Sequence, residues 1–342
     1  MTESITVAID VMSGDHGLNE TIPAALASLA DIQELSLLLV GDEASIKQHL
    51  GDNLSPWGNR LKIVHASQIV EMDDTPSKVL RSKRDSSMRV AINQVKQGTA
   101  GACVSSGNTG ALMAMAKFVL KTIPGIDRPA IISTLPAHHG HTHVLDLGAN
   151  IESSAEHLLQ FALMGSELVR AVDGIDNPKV GLLNVGEEEM KGNQQVKEAY
   201  QLLADAPINF VGYVEGDDIC MGNVDVVVTD GFVGNISLKA MEGIAKLIVN
   251  SLKQCFTQNL LSKLAGLVAT PVLASFKKLF DVKKYNGASL IGLRGIVIKS
   301  HGGSDRVAIA NAIKVAAIEI ENDVPNRISE RIEAIMTSRG TG

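Results

Sequence analysis

Apolar and polar positions follow a recurring order along this chain: a short β-branched run, a polar loop containing glycine, then a helical period. Residues 224–243 are the clearest case. Val226, Val227 and Val228 form the run, Thr229 and Asp230 end it, and Gly231 and Gly234 turn the chain. Asn235 then opens a helical pattern through Ile236, Leu238, Lys239 and Met241. The same reading predicts strands at 5–10, 35–42, 61–66, 130–135 and 143–147, with further strands ending at Ser105, Asn184 and Lys299. Helical periods fall at 21–29, 151–172 and 306–321, among others. Strands that are apolar on both faces and alternate with helices indicate a single α/β domain with a mostly parallel, doubly wound sheet. Ligands of such sheets sit beyond the carboxyl ends of the strands, so the polar loops are expected to share one edge and converge on one cleft.

A strand, glycine loop and helix start present backbone N–H groups and a positive helix end to an anion. The spacing here matches neither GxxxxGK[ST] nor GxGxxG, which argues against a nucleotide. The loops supply further candidates. Asp10 is followed by Gly14 and Asp15; Ser105, Ser106, Asn108 and Thr109 stand at a helix start, as caps or as anion contacts. After Asn184 come Glu187, Glu188 and Glu189 and then Lys191, which read equally as a solvated turn or as acids orienting a lysine toward a substrate anion. Lys299, Ser300 and His301 end the last apolar strand. The basic run Lys78, Arg81, Lys83, Arg84 and Arg89 reads as a solvated face or an anion contact. His138, His139 and His141 lie between Pro136 and the next strand, which His143 opens, and the four together read as an exposed hairpin tip; no metal is expected.

Residues 244–284 break the pattern. From 243 to 280 there is no acidic residue, while Lys246, Lys253, Lys263, Lys277 and Lys278 are present. Apolar positions recur at helical spacing, among them Leu260, Leu261, Leu264, Leu267, Val268, Phe276 and Phe280. A cationic helical arm of this kind packs on the core or a second subunit, lies in an anionic membrane surface, or receives an acidic protein.

Composition narrows the function classes. The 342 residues carry a net charge of −7 with seven Phe, three Tyr and one Trp, which argues against a nucleic-acid surface. Three cysteines without metal or redox spacing, no apolar leader and no run near the roughly 20 apolar residues of a membrane span point to a cytoplasmic protein.

These segments resemble the bacterial phosphate acyltransferase (PlsX) family of phospholipid synthesis over essentially the whole chain. The resemblance rests on AIDVMSGDHG (8–17), SSGNTGALM (105–113), LDLGAN (145–150), LLNVGEEEMKGN (182–193), 225–239 and KSHGGSD (299–305); the chain departs from the family pattern at Ser13, Ser106 and Gly303. It implies a fold like the phosphotransacetylase and isocitrate-dehydrogenase group, and a homodimer. It also implies conversion of long-chain acyl-acyl carrier protein and phosphate into acyl phosphate, without a cofactor. Acyl carrier protein, a membrane glycerol-3-phosphate acyltransferase and the membrane surface are then the expected partners. The family's implicated lysine and asparagine fall on Lys191 and Asn235, with Asp10, Gly14, Asp15, Ser105, Asn108, Thr109, Asn184, Glu188, Asp230, Gly234 and His301 as substrate-binding candidates. A phosphotransacetylase-like enzyme using acyl-CoA and a non-enzymatic membrane scaffold are the alternatives.

Overall fold

Eleven strands form one sheet in the computed structural model, which describes residues 5–188, 190–279 and 282–340. Glu189 and Phe280, and the side chains of Phe276, Lys277 and Lys278, lie outside the described residues. The strands are β1 (Ile5–Asp10), β2 (Leu35–Gly41), β3 (Leu61–His65), β4 (Ala102–Ser105), β5 (Ala130–Pro136), β6 (His141–Leu145), β7 (Lys179–Leu183), β8 (Asn209–Val214), β9 (Val226–Val228), β10 (Ala288–Ile291) and β11 (Ile296–Lys299). Their order is β3-β2-β1-β4-β11-β10-β5-β6-β9-β7-β8. Side chains alternate between two covered faces. Ile5, Val7 and Ile9 enter one apolar cluster while Ala8 enters another, and Val226 and Val228 face away from Val227 in the same manner.

The sheet is mostly parallel, as the apolar runs predict, but its direction changes at three successive pairs, for one net reversal. β3, β2, β1, β4 and β11 run one way; β6, β9, β7 and β8 run the other. Between them β10 and β5 pair antiparallel with their neighbours. Two of the three changes have a local cause. β10–β11 and β5–β6 are joined by four-residue turns, and such short connections join only antiparallel strands. The expectation that every loop shares one edge is therefore corrected. The carboxyl ends of β1, β4 and β11 lie at one end of the sheet, and those of β6, β7 and β9 at the other.

Helix Gly231–Thr257 runs without a break through position 244 and is followed by helix Leu260–Leu279. The two pack on each other, with Gly266 against the Phe256 ring. Gly231 and Gly234 are buried, and Leu238 and Met241 pack against the core, whereas the described residues from 244 onward are exposed or half-buried, so within one chain the arm itself is not packed onto the core. Leu260, Leu261, Leu267, Val268 and Val272 are each more than 70% exposed, and Leu264 is 54% exposed. Among the described residues no helix is long and apolar enough to cross a membrane.

Candidate active site

At the first end of the sheet, register sets the chemistry. Asp10, Ser105 and Lys299 are paired across the adjacent parallel strands β1, β4 and β11, so their side chains leave one face side by side. The buried Asp10 carboxylate accepts from Ser13 Oγ at 2.5 Å and from Ser105 Oγ at 2.7 Å. Burial raises its pKa, and its Oδ1 has no hydrogen-bond partner among the described residues. Gly14 turns the chain at φ 89°, where a Cβ would stand 2.6 Å from Ser106 Oγ, and Asp15 N donates to Gly302 O at 2.9 Å. The loops after β1, β4 and β11 are thereby locked together.

Lys299 is 9% exposed and donates to the Ser300 carbonyl. Burial lowers its pKa to about 8 against the opposing pull of Asp15. Burial, followed by the nearby Lys239 and Lys299 cations, also depresses His301. Its Nδ1 accepts from Gly303 N at 3.1 Å, so the neutral ring carries its proton on Nε2. Asn108 caps helix Thr109–Leu120, accepting from Ala111 N at 2.9 Å and donating to the Met72 and Asp74 carbonyls. Thr109, at the first turn of that helix, is exposed. Asp74 pairs with Lys78 at 2.7 Å and Lys83 at 3.4 Å, and Arg89 lies over the Phe118 ring. These partners account for much of the basic run.

At the other end, buried Asp146 organises the loop after β6. Its two oxygens accept from the backbone N–H groups of Ile131, Ala149 and Asn150 and from the Asn150 amide, at 2.7–3.0 Å. The loop meets the start of helix Gly231–Thr257 closely. A Cβ on Gly234 would lie 2.0 Å from Asp146 O, and Gly148 faces the Asn235 side chain. Asp230 caps this helix, accepting from Phe232 N and Val233 N at 2.9 Å. In the neighbouring strand Asn184 donates to Gly186 O at 3.0 Å, where Glu188 and Lys191 form an exposed ion pair of 2.6 Å. Val228 pairs with Leu182 at the carboxyl ends of β9 and β7, so the chain leaves one strand toward Asp230 and its neighbour toward Asn184 at the same end of the sheet. The Glu188 carboxylate raises the Lys191 pKa, so this lysine stays a cation and a donor at neutral pH.

Helix Gly231–Thr257 links the two ends. Asn235, Lys239 and Glu242 follow at i, i+4 and i+7 on one face. Lys239 acts on both Lys299 and His301, and Glu242 acts on His301. The predicted residues thus form two groups. Asp10, Gly14, Asp15, Ser105 and His301 make one, with Asn108 and Thr109 following on the loop after β4. Asp230, Gly234 and Asn235 make the other, bordered by Asn184, Glu188 and Lys191.

The family described as "Fatty acid synthesis protein" matches residues 5–327. A phosphate acyltransferase from Methylococcus capsulatus is 61% identical over 98% of both chains, and one from Alkalilimnicola ehrlichii is 55% identical over 99% of both. The chain belongs to the phosphate acyltransferase family. A phosphotransacetylase from Streptococcus pyogenes shares its fold, with a TM-score of 0.63 at 18% identity over 94% of this chain and 95% of that one.

The geometry brings forward groups whose importance the pattern of residues does not carry: Lys299, Lys239 and Asp146. Lys299 is legible only as a polar residue ending an apolar strand, and Lys239 as the i+4 neighbour of Asn235. The histidine hairpin needs a correction too. The tip is residues 137–140, but His143 is buried on β6, and it and His141 both meet Asp173.

Proposed function

We propose that this chain transfers a long-chain acyl group from acyl-acyl carrier protein to inorganic phosphate, yielding the acyl phosphate used in phospholipid synthesis. A phosphate oxygen bonds to the thioester carbonyl carbon, the C–S bond breaks, and the carrier thiolate leaves and takes up a proton. The thioester is already activated, so the protein's task is to hold a dianion and a carbonyl in line, which can be worth roughly 7–11 kcal/mol.

The observation that carries this reading is the buried Lys299 ammonium beside the His301 ring, within a family named for acyl transfer to phosphate. In the proposed roles, Lys299 and the Nε2–H of His301 hold phosphate. Asn235 and the permanently cationic Lys191 donate to the oxyanion that develops at the carbonyl. Asp10, Asp15 and Glu188 orient these donors, since bare carboxylates repel phosphate. The exposed leucines of the arm support contact with an anionic membrane surface, with Lys246, Lys253 and Lys263 at headgroup level. There the product would pass to a membrane glycerol-3-phosphate acyltransferase, and a second copy of the chain would complete a homodimer.

The test is direct. Purified protein is incubated with palmitoyl-acyl carrier protein and phosphate, and acyl phosphate is trapped with hydroxylamine as its hydroxamate. Product that requires phosphate, and that falls at least about 100-fold in Lys191→Ala, is expected for loss of one such donor. Folded wild-type protein giving product only from acyl-CoA, or none, would overturn the proposal.

A further inference from the structure

His141 and His143 are alternate residues of β6 and leave the same face of the sheet. That face is covered by helix Ala155–Val172, and the residue that ends the helix, Asp173, turns its carboxylate onto both rings. His141 Nε2 is 2.9 Å and His143 Nε2 is 2.8 Å from Asp173 Oδ2, and the three donor atoms lie within 4.8 Å of one another. We propose that His141 Nε2, His143 Nε2 and the Asp173 carboxylate form a binding site for a first-row divalent cation, zinc being the reference ion.

The donor set, the spacing and the surroundings agree with such an ion. Two imidazoles and one carboxylate are borderline ligands that favour zinc and its neighbours over calcium or magnesium. Zinc takes these atoms at about 2.0–2.2 Å, which places tetrahedral donors roughly 3.4 Å apart. The two nitrogen–oxygen separations therefore widen by about half an ångström when the cation enters in place of the bridging protons. His143 is held for this role. Thr134 is its partner across the β5–β6 ladder, and Thr134 Oγ1 lies 3.3 Å from His143 Nδ1. An imidazole that binds a metal through Nε2 keeps its proton on Nδ1 and donates it to such an oxygen. The site opens on a cavity of about 200 Å³ that is also lined by Ser133, Ser289 and Glu319, leaving room for a further ligand. Access is through His141, whose side chain is 38% exposed, whereas that of His143 is 6% exposed. A bound cation would clasp the β5–β6 hairpin to the end of helix Ala155–Val172, at the amino end of the strand whose carboxyl end leads into the Asp146 loop.

The full chain, stripped with EDTA and dialysed into metal-free buffer, is titrated calorimetrically with ZnCl2 and in parallel with CoCl2. One cation per chain is expected, with visible ligand-field absorption from bound Co2+. His141→Ala, at the exposed end of the cluster, and the isosteric Asp173→Asn should each weaken Zn2+ binding by at least about 100-fold; Thr134→Val, which removes only the supporting hydroxyl, should weaken it by about 10-fold. The double variant His138→Ala/His139→Ala, at the hairpin tip, should bind as the wild type does. Absence of saturable Zn2+ binding overturns the proposal, as does unchanged affinity in folded His141→Ala. Loss of binding in the tip variant with retention in Asp173→Asn also overturns it, by moving the metal to the solvent-facing histidines.

Discussion

Replacing Lys299 with methionine separates what this residue does for the fold from what it does for the site. Lys299 is enclosed between Ser105 and the loop after β11, and burial holds its pKa at about 8, below the ordinary 10.5. The folded-state value lies below the unfolded one. The resulting destabilisation is therefore complete below about pH 8 and is relieved as pH rises to about 10.5, where both states are neutral. A gap of this size costs the folded wild type on the order of 3 kcal/mol at neutral pH. Methionine has nearly the same length and no charge to desolvate. Lys299→Met is accordingly expected to gain about 2–3 kcal/mol in urea unfolding at pH 7, with the advantage shrinking toward zero by about pH 10.5. In the hydroxamate assay the same variant is expected to lose about 100-fold or more in turnover, because the anion-holding cation is gone. A variant less stable than wild type at pH 7, or an advantage that does not change between pH 7 and pH 10, would refute the desolvation argument. A stabilised variant with full turnover would remove Lys299 from the site.

Glu319 is titrated by the same physics with the opposite sign. Burial raises its pKa to about 8, so wild-type stability is complete below about pH 4.5 and is lost as pH rises toward 8. Glu319→Gln, which keeps a partner for Ser289, should be close to wild type at pH 5 and more stable by about 3 kcal/mol at pH 7.5 in chemical unfolding; equal stability at both pH values would count against a protonated carboxyl. Gly234→Ala brings a methyl to within 2.0 Å of the Asp146 carbonyl, where backbone cannot yield, and should lower stability by about 3 kcal/mol and abolish turnover; a folded, active variant would deny the close approach. For the arm, liposome sedimentation with anionic vesicles compares wild type with Leu260/Leu264/Leu267→Glu. Loss of pelleting is expected in the variant, and equal pelleting would remove the membrane contact.

How far the sequence carries the fold depends on what hydrophobic periodicity encodes. An apolar run covered on both faces reads the same whichever way the strand points, so 5–10 and 226–228 are legible as strands but not as members of opposed groups. Part of the direction is encoded in the connections, and the opposition of the two halves in the antiparallel pairing of β10 with β5, which no short connection joins. The four residues between β5 and β6, and the four between β10 and β11, are too few for a crossover, and each reverses the chain. Glycines legible as turn residues have distinct causes in the structure. Gly14 needs its positive φ, whereas Gly234 needs the absence of a Cβ beside Asp146. The charged groups are legible as types and not as neighbours. Asp10 and Lys299 are nearly three hundred positions apart, and only the β1–β4–β11 register makes them companions. Asp173 is likewise 30 residues from His143, outside any local spacing. Because the sheet reverses, no single strand edge gathers the candidate groups, and the connection falls to one helix. Its second turn holds Asn235 against the β6 loop, and the next turn carries Lys239 toward Lys299 and His301. A site divided in this way ties its geometry to the angle of that helix, which continues directly into the exposed arm. A surface or partner that holds the arm thereby also holds the face carrying Asn235 and Lys239.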